Sequence, residues 1–574
     1  MSRTGADPHD EWRREYGVPS TSEPFVQKYL NGREALIAQE KRLRSDHAFR
    51  ETLSPMAREA SAIVRAIRDE ERRTVWTNDY EDKLASETGD IYPGMMFTQA
   101  RPRMEQTKLW KIVKKCPKGA LLHCHFDATV DFTWLLEELF AYGGFHLSAS
   151  APLADKTSLR KTSFKFTWRK TKQETTESIW DSSYTPDTLV PLDIAADTYT
   201  DGGRAGFRDW ILTRTSITHD ESLAHHEGPN EVWRKFMSCF AVVGTMLHYE
   251  VIWKKAIKRV LSLLAEDGVQ YVDLRAVFRI PYYREGSETP EKDNSAKFQA
   301  MEEAIDEFLD SPEGKNFWGA RMIWTDLRIL DSKSIVEGMK DCIAMKQKHP
   351  DLIAGYDLVG QEDLGRPLRE FIPELFWFKK ACAEAGVEIP FFFHAGETLG
   401  DGDSVDQNLF DAILLGTRRI GHGFSLYKHP LLIDMVKEKK ILVESCPISN
   451  EVLRLTSSVM SHPLPALLSR GVSVALCNDD PAMLGHVTSG MTHDFWQALQ
   501  GWENLGLEGL GSLAENSIRF STFDDFNNAE WQAEVKEGAY GKGERAQRMQ
   551  EWAAQWEKFC SWIVEEYGVQ YGGQ

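Results

Sequence analysis

Paired cysteines, basic charge and long apolar runs are what this 574-residue sequence has least of, and each shortage closes off a class of function. Eight cysteines are scattered along the chain, with none between Cys124 and Cys239 and no CxxC pair, a usage that reads as buried thiols in a reducing compartment rather than a disulfide framework. Lysine and arginine number 68 against 87 acidic residues, a formal charge of -19, so the chain as a whole repels a phosphate backbone. A small-molecule partner is expected, and no nucleic acid. No apolar run approaches the ~20 residues of a membrane span, and "MSRTGADPHDEWRREYGVPS" lacks the apolar core of about 7–15 residues that marks a secretory signal. The expected location is therefore cytoplasmic, with no membrane contact. What the sequence does have is an ordinary globular balance, 42% apolar and 27% charged, enough for one large core with accessory segments.

Residues 1–105 carry no strand signal. They hold helix-period stretches such as "NGREALIAQEKRL", where Asn31 and Glu34 have the spacing of a capping box, and "PMAREASAIVRAIRDEERRTVW". An apolar stripe on such helices packs either on the main domain or on a second copy of the chain, the former being the commoner outcome. From residue 119 onward eight short β-branched or aromatic runs recur, most of them separated by amphipathic helical stretches: "GALLHCHF", "VQYVDLRA", "ARMIWTDLR", "LIAGYDLVG", "IPFFFHAGE", "RRIGHGF", "ILVESCP" and "VSVALCNDD". After the fourth, "PLREFIPELFWFKKACAEAG" reads as a helix of about five turns closed by Gly386. The pattern predicts an α/β protein of the (β/α)8 TIM-barrel type, with a helical N-terminal extension over 1–105, the barrel over 106–530 and a helical tail over 531–574. About 140 residues separate the first two runs, which implies an insertion at about 140–225. Within it "TSLRKTSFKFTWRKTKQETTES" is a basic island, read as a solvated loop.

A barrel of this kind carries its active site at the C-terminal ends of its strands. In "KGALLHCHFDAT", strand alternation points His123 and His125 to the same side and Cys124 to the other. Polar residues stand at the ends of four more runs: Gly360, Gln361 and Glu362 after the fourth, His394 and Glu397 after the fifth, His422 after the sixth, and Asp479 and Asp480 after the eighth. One strand-end histidine is more often a hydrogen-bonded structural residue than a ligand. Three histidines and a carboxylate aimed at one barrel mouth are an N/O donor set that suits zinc with an open position for water, and His123, His125, His394 and Asp479 are the expected ligands of one Zn2+ per chain. Hydrolysis also needs an acid and a base. Glu397 is the candidate proton donor, His422 orients or deprotonates the water, and Asp480 accepts a hydrogen bond from a substrate or a neighbouring histidine.

The stretches "KGALLHCHFDA", "YDLVGQED", "FFFHAGET", "RRIGHGFSL", "ESCPISNEVL" and "CNDDPAMLG" occur in the order seen in adenosine deaminases, and the sequence most closely resembles the adenosine deaminase-related growth factor group over residues 90–522. "MMFTQARPRMEQTKLWKIVKKCPKG", "VWRKFMSCFAVVGTMLHY" and "LAENSIRFS" extend the likeness. The resemblance implies zinc-dependent hydrolysis of the 6-amino group of adenosine, and of 2'-deoxyadenosine, to inosine-type products and ammonia. It implies the same four zinc ligands, with Glu397 as proton donor to purine N1, His422 assisting the attacking water, Asp480 at N7, the backbone of Gly360 at N3, Asp127 at the ribose and Trp233 near the nucleoside. Secreted members of the group carry a signal peptide and a disulfide in the insertion, and this insertion contains no cysteine, so the group's extracellular location is the alternative to a cytoplasmic one. The N-terminal segment resembles a dimerisation region in position more than in sequence, which implies a homodimer. Two rival readings are a deaminase of adenine, AMP or a 5'-modified adenosine, and a catalytically silent nucleoside-binding, growth-factor-like protein. Binuclear relatives need a modified lysine after the fourth strand, and "AGYDLVGQ" offers none.

Overall fold

The computed structural model describes residues 11–77, 91–171 and 177–572. Among them the strands are β1 (Gly119–His125), β2 (Phe145–Ala149), β3 (Phe164–Trp168), β4 (Val190–Pro191), β5 (Val269–Val277), β6 (Gly319–Leu327), β7 (Ile353–Val359), β8 (His394–Ala395), β9 (Arg419–His422), β10 (Leu442–Ser445) and β11 (Val474–Leu476). β1 and β5 to β11 fall on the eight apolar runs. They form two parallel sheets, in the orders β1-β5-β6-β7 and β11-β10-β9-β8, with helices in the crossovers. The protein is therefore of the α/β class.

Single parallel bridges join the two sheets at both edges, Cys124 to Asp479 and Tyr356 to Phe391. At the first, the His125 N–H donates to the Asp479 carbonyl at 2.9 Å and the Asp479 N–H to the His123 carbonyl at 3.2 Å. That edge sets the first and last strands side by side at the ends that carry the polar residues. Strands covered on both faces should read as continuous apolar runs, and these do except for a few fully buried charges. The charges answer one another: Arg275 bonds Asp357 at 2.9 Å and Glu444 at 2.7 Å, while Arg419 bonds Asp273 at 2.9 Å, also reaches Glu444, and lies 4.1 Å over the Phe392 ring. Ile323, Ala354 and Phe392 form a small apolar cluster apart from the main core.

Three local expectations need correction. The helix starting at Pro24 runs to Arg42, so Asn31 and Glu34 lie inside it and cap nothing; Pro24, with its preset φ, begins the helix earlier. The helix before Gly386 is Ile372–Ala385, preceded by a 3-10 turn over Leu368–Phe371, because Pro373 is favourable only in a first turn; Gly386 closes it in the left-handed conformation, as expected. The basic island is not a plain loop. It contains the helix Lys156–Lys161, capped by Asp155, and β3, where Phe164 and Phe166 are buried on either side of exposed Lys165. Period-two alternation outweighed the polar composition, and β3 pairs antiparallel with β2, which also pairs with β4. Residues 172–176 of the island lie outside the described residues.

In the N-terminal extension the helix Pro55–Thr74 is sewn into the same chain: Arg68 donates to the carbonyls of Leu499 and Gln500, and Glu71 accepts from the Leu109 N–H. All eight cysteines are buried and unpaired. Among the described residues no helix is long and apolar enough to cross a membrane.

One contact makes the packing testable. A Cβ on Gly355 of β7 would stand 2.3 Å from the Phe392 ring and 2.7 Å from the Pro390 carbonyl. Gly355→Ala is expected to destabilise the fold by at least about 1–3 kcal/mol in denaturant titration, and an unchanged midpoint would mean that Phe392 can move aside.

Candidate metal and active site

His123 and His125 end β1 on one side of the strand, and their rings are 5.5 Å apart. His394 opens β8, 4.5 Å from His123 between ring centres, His422 closes β9, 4.8 Å from His123, and Asp479 follows β11. Two of these residues hold uncommon backbone conformations for non-glycine residues, His422 at φ 61° and Asp479 at φ 59°. Such left-handed residues persist only where the surroundings impose them, and they cluster at functional sites. Here each one turns its side chain from a strand end toward the same point.

The hydrogen bonds around the histidines fix which nitrogen faces that point. His123 Nδ1 lies 2.8 Å from the Glu444 carboxylate, and His394 Nδ1 lies 2.7 Å from that of Asp357. Burial would raise both acids, but the guanidinium of Arg275, shared by the two, and the adjacent imidazoles hold them well below the usual carboxylate range. An ionised carboxylate only accepts, so each histidine donates from Nδ1 and presents a bare Nε2 lone pair. His123 Nε2 then faces Asp479 Oδ1 at 3.1 Å, and His125 Nε2 lies 3.4 Å from the same oxygen. His123 Nε2 and Asp479 Oδ1 are both buried with no hydrogen-bond partner. Two lone pairs meeting at that distance repel unless a cation stands between them.

The donor atoms of His123, His125, His394 and Asp479 lie within 4.8 Å of one another, a group that could hold a metal ion. A second grouping takes His123, Asp479, His422 and Cys446. Cys446 is fully buried, and burial pushes its thiol far from the thiolate that metal binding needs, whereas His125 opens onto a cavity. The first set is the better fit. Burial holds His125 below its ordinary pKa and brings His394 to about 3 against the opposing charge of Asp357, so both are neutral, as ligands must be. The Cβ that Gly421 lacks would lie 2.9 Å from His123 Cε1, so the glycine gives that ring its room.

Glu397 and Asp479 have opposite electrostatics. Burial, and then the charge of Asp479, push Glu397 well above the carboxylate range; Asp479, itself penalised by burial, is held well below it chiefly by His422, whose Nε2 lies 3.7 Å away. The backbone N–H of Glu397 donates to Glu362 at 2.9 Å, fixing the turn after β8, while its Oε1 has no partner. Asp480 is also raised, by burial and by Asp479.

A chain of hydrogen bonds settles the tautomer of His422. The Leu464 N–H donates to His462 Nδ1, His462 Nε2–H donates to Asn450 Oδ1, and Asn450 Nδ2 donates to His422 Nδ1 at 3.1 Å. Neutral His422 therefore carries its proton on Nε2, which is buried, otherwise unpartnered and 3.7 Å from Asp479.

A cavity of about 130 Å³ is lined by His125, Asp127, Trp233, Gly360, His394, Glu397, His422, Asp479 and Asp480, and His123 sits behind them with its side chain fully buried. The residues expected to act together thus converge. The sequence reading missed the cavity's apolar side, Phe236, Met237 and Phe240 on the helix Pro229–Leu247 together with Val277, Ile280 and Leu327. It also missed Asp357, Glu444 and Arg275; the available signal was a charged residue in the middle of a β-branched run. None of the described lining residues is lysine or arginine.

The family model described as Adenosine deaminase matches residues 204–537. Adenosine deaminase 2-A of Danio rerio is 33% identical over 444 residues, covering 76% of this chain and 81% of its own. Adenosine deaminase 2 of Homo sapiens is 30% identical over 486 residues, with 84% and 86% covered, and that of Dictyostelium discoideum 27% identical over 572 residues, with 96% and 90% covered. A solved amidohydrolase from Burkhoderia ambifaria with bound Zn is 17% identical with a TM-score of 0.49, covering 80% of this chain and 98% of that one.

Removing an orienting partner should be felt at the metal. Glu444→Gln is expected to weaken metal retention about 10–100-fold and Gly421→Ala to displace His123, both read as metal content after dialysis at fixed chelator. Full retention in both variants would show that His123 is not a ligand.

Proposed function

Because this chain belongs to the adenosine deaminase family of hydrolases, we propose that it hydrolyses the 6-amino group of adenosine, and of 2'-deoxyadenosine, releasing ammonia. The observation that carries this reading is the convergence of the donor atoms of His123, His125, His394 and Asp479 within 4.8 Å on a cavity that Glu397 also lines, where burial and the charge of Asp479 push the Glu397 carboxyl upward. The supporting frame is read as a closed (β/α)8 barrel, since the two sheets meet at both edges. His123, His125, His394 and Asp479 would hold one zinc ion. Bound there, zinc supplies Lewis acidity and lowers the pKa of a water to about 7.

The remaining work falls to the chain's own groups. Glu397 donates its proton to purine N1, which lets the ring take up the electron pair as water, having lost one proton to solvent at its lowered pKa, adds to C6. The Glu397 carboxylate then takes the remaining hydroxyl proton of the adduct and passes it to the 6-amino group, which leaves as ammonia, and solvent reprotonates Glu397. Neutral His422 offers Nε2–H, so it serves as a hydrogen-bond donor that orients the attacking oxygen, not as the base. Asp480, raised into its protonated form, has a proton for purine N7 as an acceptor. Gly360, at φ 103°, brings bare backbone to the N3 edge, where a Cβ would meet nothing nearer than 3.9 Å, so the glycine is needed for the conformation rather than for space. Asp127 faces the ribose, and Trp233 with its aromatic neighbours covers the base. Addition of water and loss of ammonia from C6 balance as adenosine plus water giving inosine plus ammonia. Among the described lining residues no lysine or arginine is present to pair with a phosphate, which favours a nucleoside over AMP.

Ultraviolet monitoring of the zinc-loaded protein tests the reading: adenosine should convert to inosine, and AMP far more slowly. Glu397→Ala should keep its zinc and lose about 10²–10⁴-fold in kcat; retained turnover would remove Glu397 from the role. The sign of the pH dependence follows from the raised pKa. kcat/KM should fall on the alkaline side as Glu397 loses its proton, and this limb should vanish in Glu397→Ala.

A further inference from the structure

Between the insertion and the segment after β5 lies a second cavity, about 420 Å³, that the reaction above leaves unused. Trp168 and Tyr249, stacked with ring centres 5.0 Å apart, form one wall with Phe166, and Ile280 and Pro281 form another. Two polar side chains that line it are buried and have no partner: Ser148 Oγ, on β2, and both ring nitrogens of His248, at the end of the helix Pro229–Leu247. Buried polar groups are nearly always hydrogen-bonded, so three atoms without a protein partner beside one cavity mark where a water or a ligand group would bind. The cations of the lining are already answered, Lys165 by Asp187 at 3.7 Å and Arg169 by Glu288 at 3.9 Å. His248 is neutral, held well below its ordinary pKa by burial and then by the charge of Lys297, whose Nζ is buried 4.7 Å over the Trp253 ring beneath it. The cavity therefore offers neutral donors and acceptors between aromatic walls.

It also adjoins the active site. Ile280 lines both cavities, and His248 Nε2 lies 4.0 Å from Asp127 Oδ1. At about 130 Å³ the reaction cavity is smaller than the ~300–1,000 Å³ of typical small-molecule sites, and the two cavities together fall within that range. We propose that the second cavity is a subsite for an uncharged substituent on the 5' carbon of the nucleoside, with Ser148 and His248 as its hydrogen-bonding contacts. This rests on the reading that the ribose lies at Asp127. The 5' carbon is exocyclic, the ribose position from which a substituent extends without crowding the ring, and the next space beyond Asp127 is the one that His248 and Ile280 border. Among the described lining residues a phosphate finds no cation without an acidic partner.

The test uses the zinc-loaded full chain with adenosine and 5'-deoxy-5'-(benzylthio)adenosine. Wild type should turn over the thioether with a kcat/KM within about tenfold of adenosine, and Ser148→Leu, which fills the cavity, should lower the thioether by at least about tenfold while leaving adenosine within about twofold. Rejection of the thioether by wild type by more than about a hundredfold, or an equal loss for both substrates in a folded Ser148→Leu, overturns the proposal. Should Ser148→Leu not fold, Ser148→Ala replaces it with a 5'-(2-hydroxyethylthio) nucleoside, where a several-fold loss specific to that ligand is expected and an unchanged ratio to adenosine counts against the subsite. Absence of turnover of any nucleoside would sink the reaction and not the subsite. Calorimetric binding of the thioether then decides, tighter in wild type than in the Ser148 variant if the subsite exists and equal or undetectable if it does not.

Discussion

The Glu444 carboxylate, buried where three donors converge, is the point on which the site depends. It accepts from His123, Arg275 and Arg419, and Arg275 in turn holds Asp357, which accepts from His394. One ionic network thus sets the tautomers of two histidines from different sheets. Placing this many charges out of water costs several kcal/mol per ion before attraction repays it, so the network is a weak argument for stability. Its value lies in specification. With Glu444 and Asp357 ionised, both imidazoles must turn their free lone pairs to the same place, and that of His123 then opposes Asp479 at 3.1 Å, where a cation is the natural resolution.

The same economy governs the acid and its neighbours. Glu397 and Asp479 are both buried carboxylic acids pushed in opposite directions: burial and then the charge of Asp479 raise Glu397, while His422, whose Nε2 proton faces Asp479, outweighs burial there. The relay from Leu464 through His462 and Asn450 to His422 does for the third histidine what Glu444 and Asp357 do for the first two, with the opposite result: its proton points inward. A residue that carries a proton on the nitrogen facing the site donates to a developing negative oxygen, and this narrows the two roles that residue type alone left open for His422.

How much of this was legible in the sequence depended on range. Strand alternation put His123 and His125 together, and the strand-end positions of His394, His422 and Asp479 followed from the α/β alternation, since all of these are local properties. The resemblance of the motifs supplied the direction of the chemistry. What could not be read was anything set by contacts between distant strands: Asp357 and Glu444 as orienting groups, Arg275 between them, and the left-handed backbone of His422 and Asp479. The misreadings were local conflicts. The alternation of Phe164, Lys165 and Phe166 was overruled by the polar composition around it, and Pro24 began a helix ahead of the capping pair at Asn31 and Glu34.

The division of labour between strands and insertion follows from rigidity. The strand ends, fixed by ladders on both sides, carry every group that must be placed to a few tenths of an ångström: the proposed ligands, Glu397 and Asp480. The helix Pro229–Leu247 supplies Trp233, Phe236, Met237 and Phe240 to the cavity, and the sheet of β2, β3 and β4 walls the adjoining one. Neither contributes a group that must move a proton. Apolar contact tolerates small displacement, so these segments are free to shape what enters the cavity without disturbing the groups at the strand ends. In the proposed reaction the strand ends would determine the chemistry, and the inserted layer would shape the space beside it.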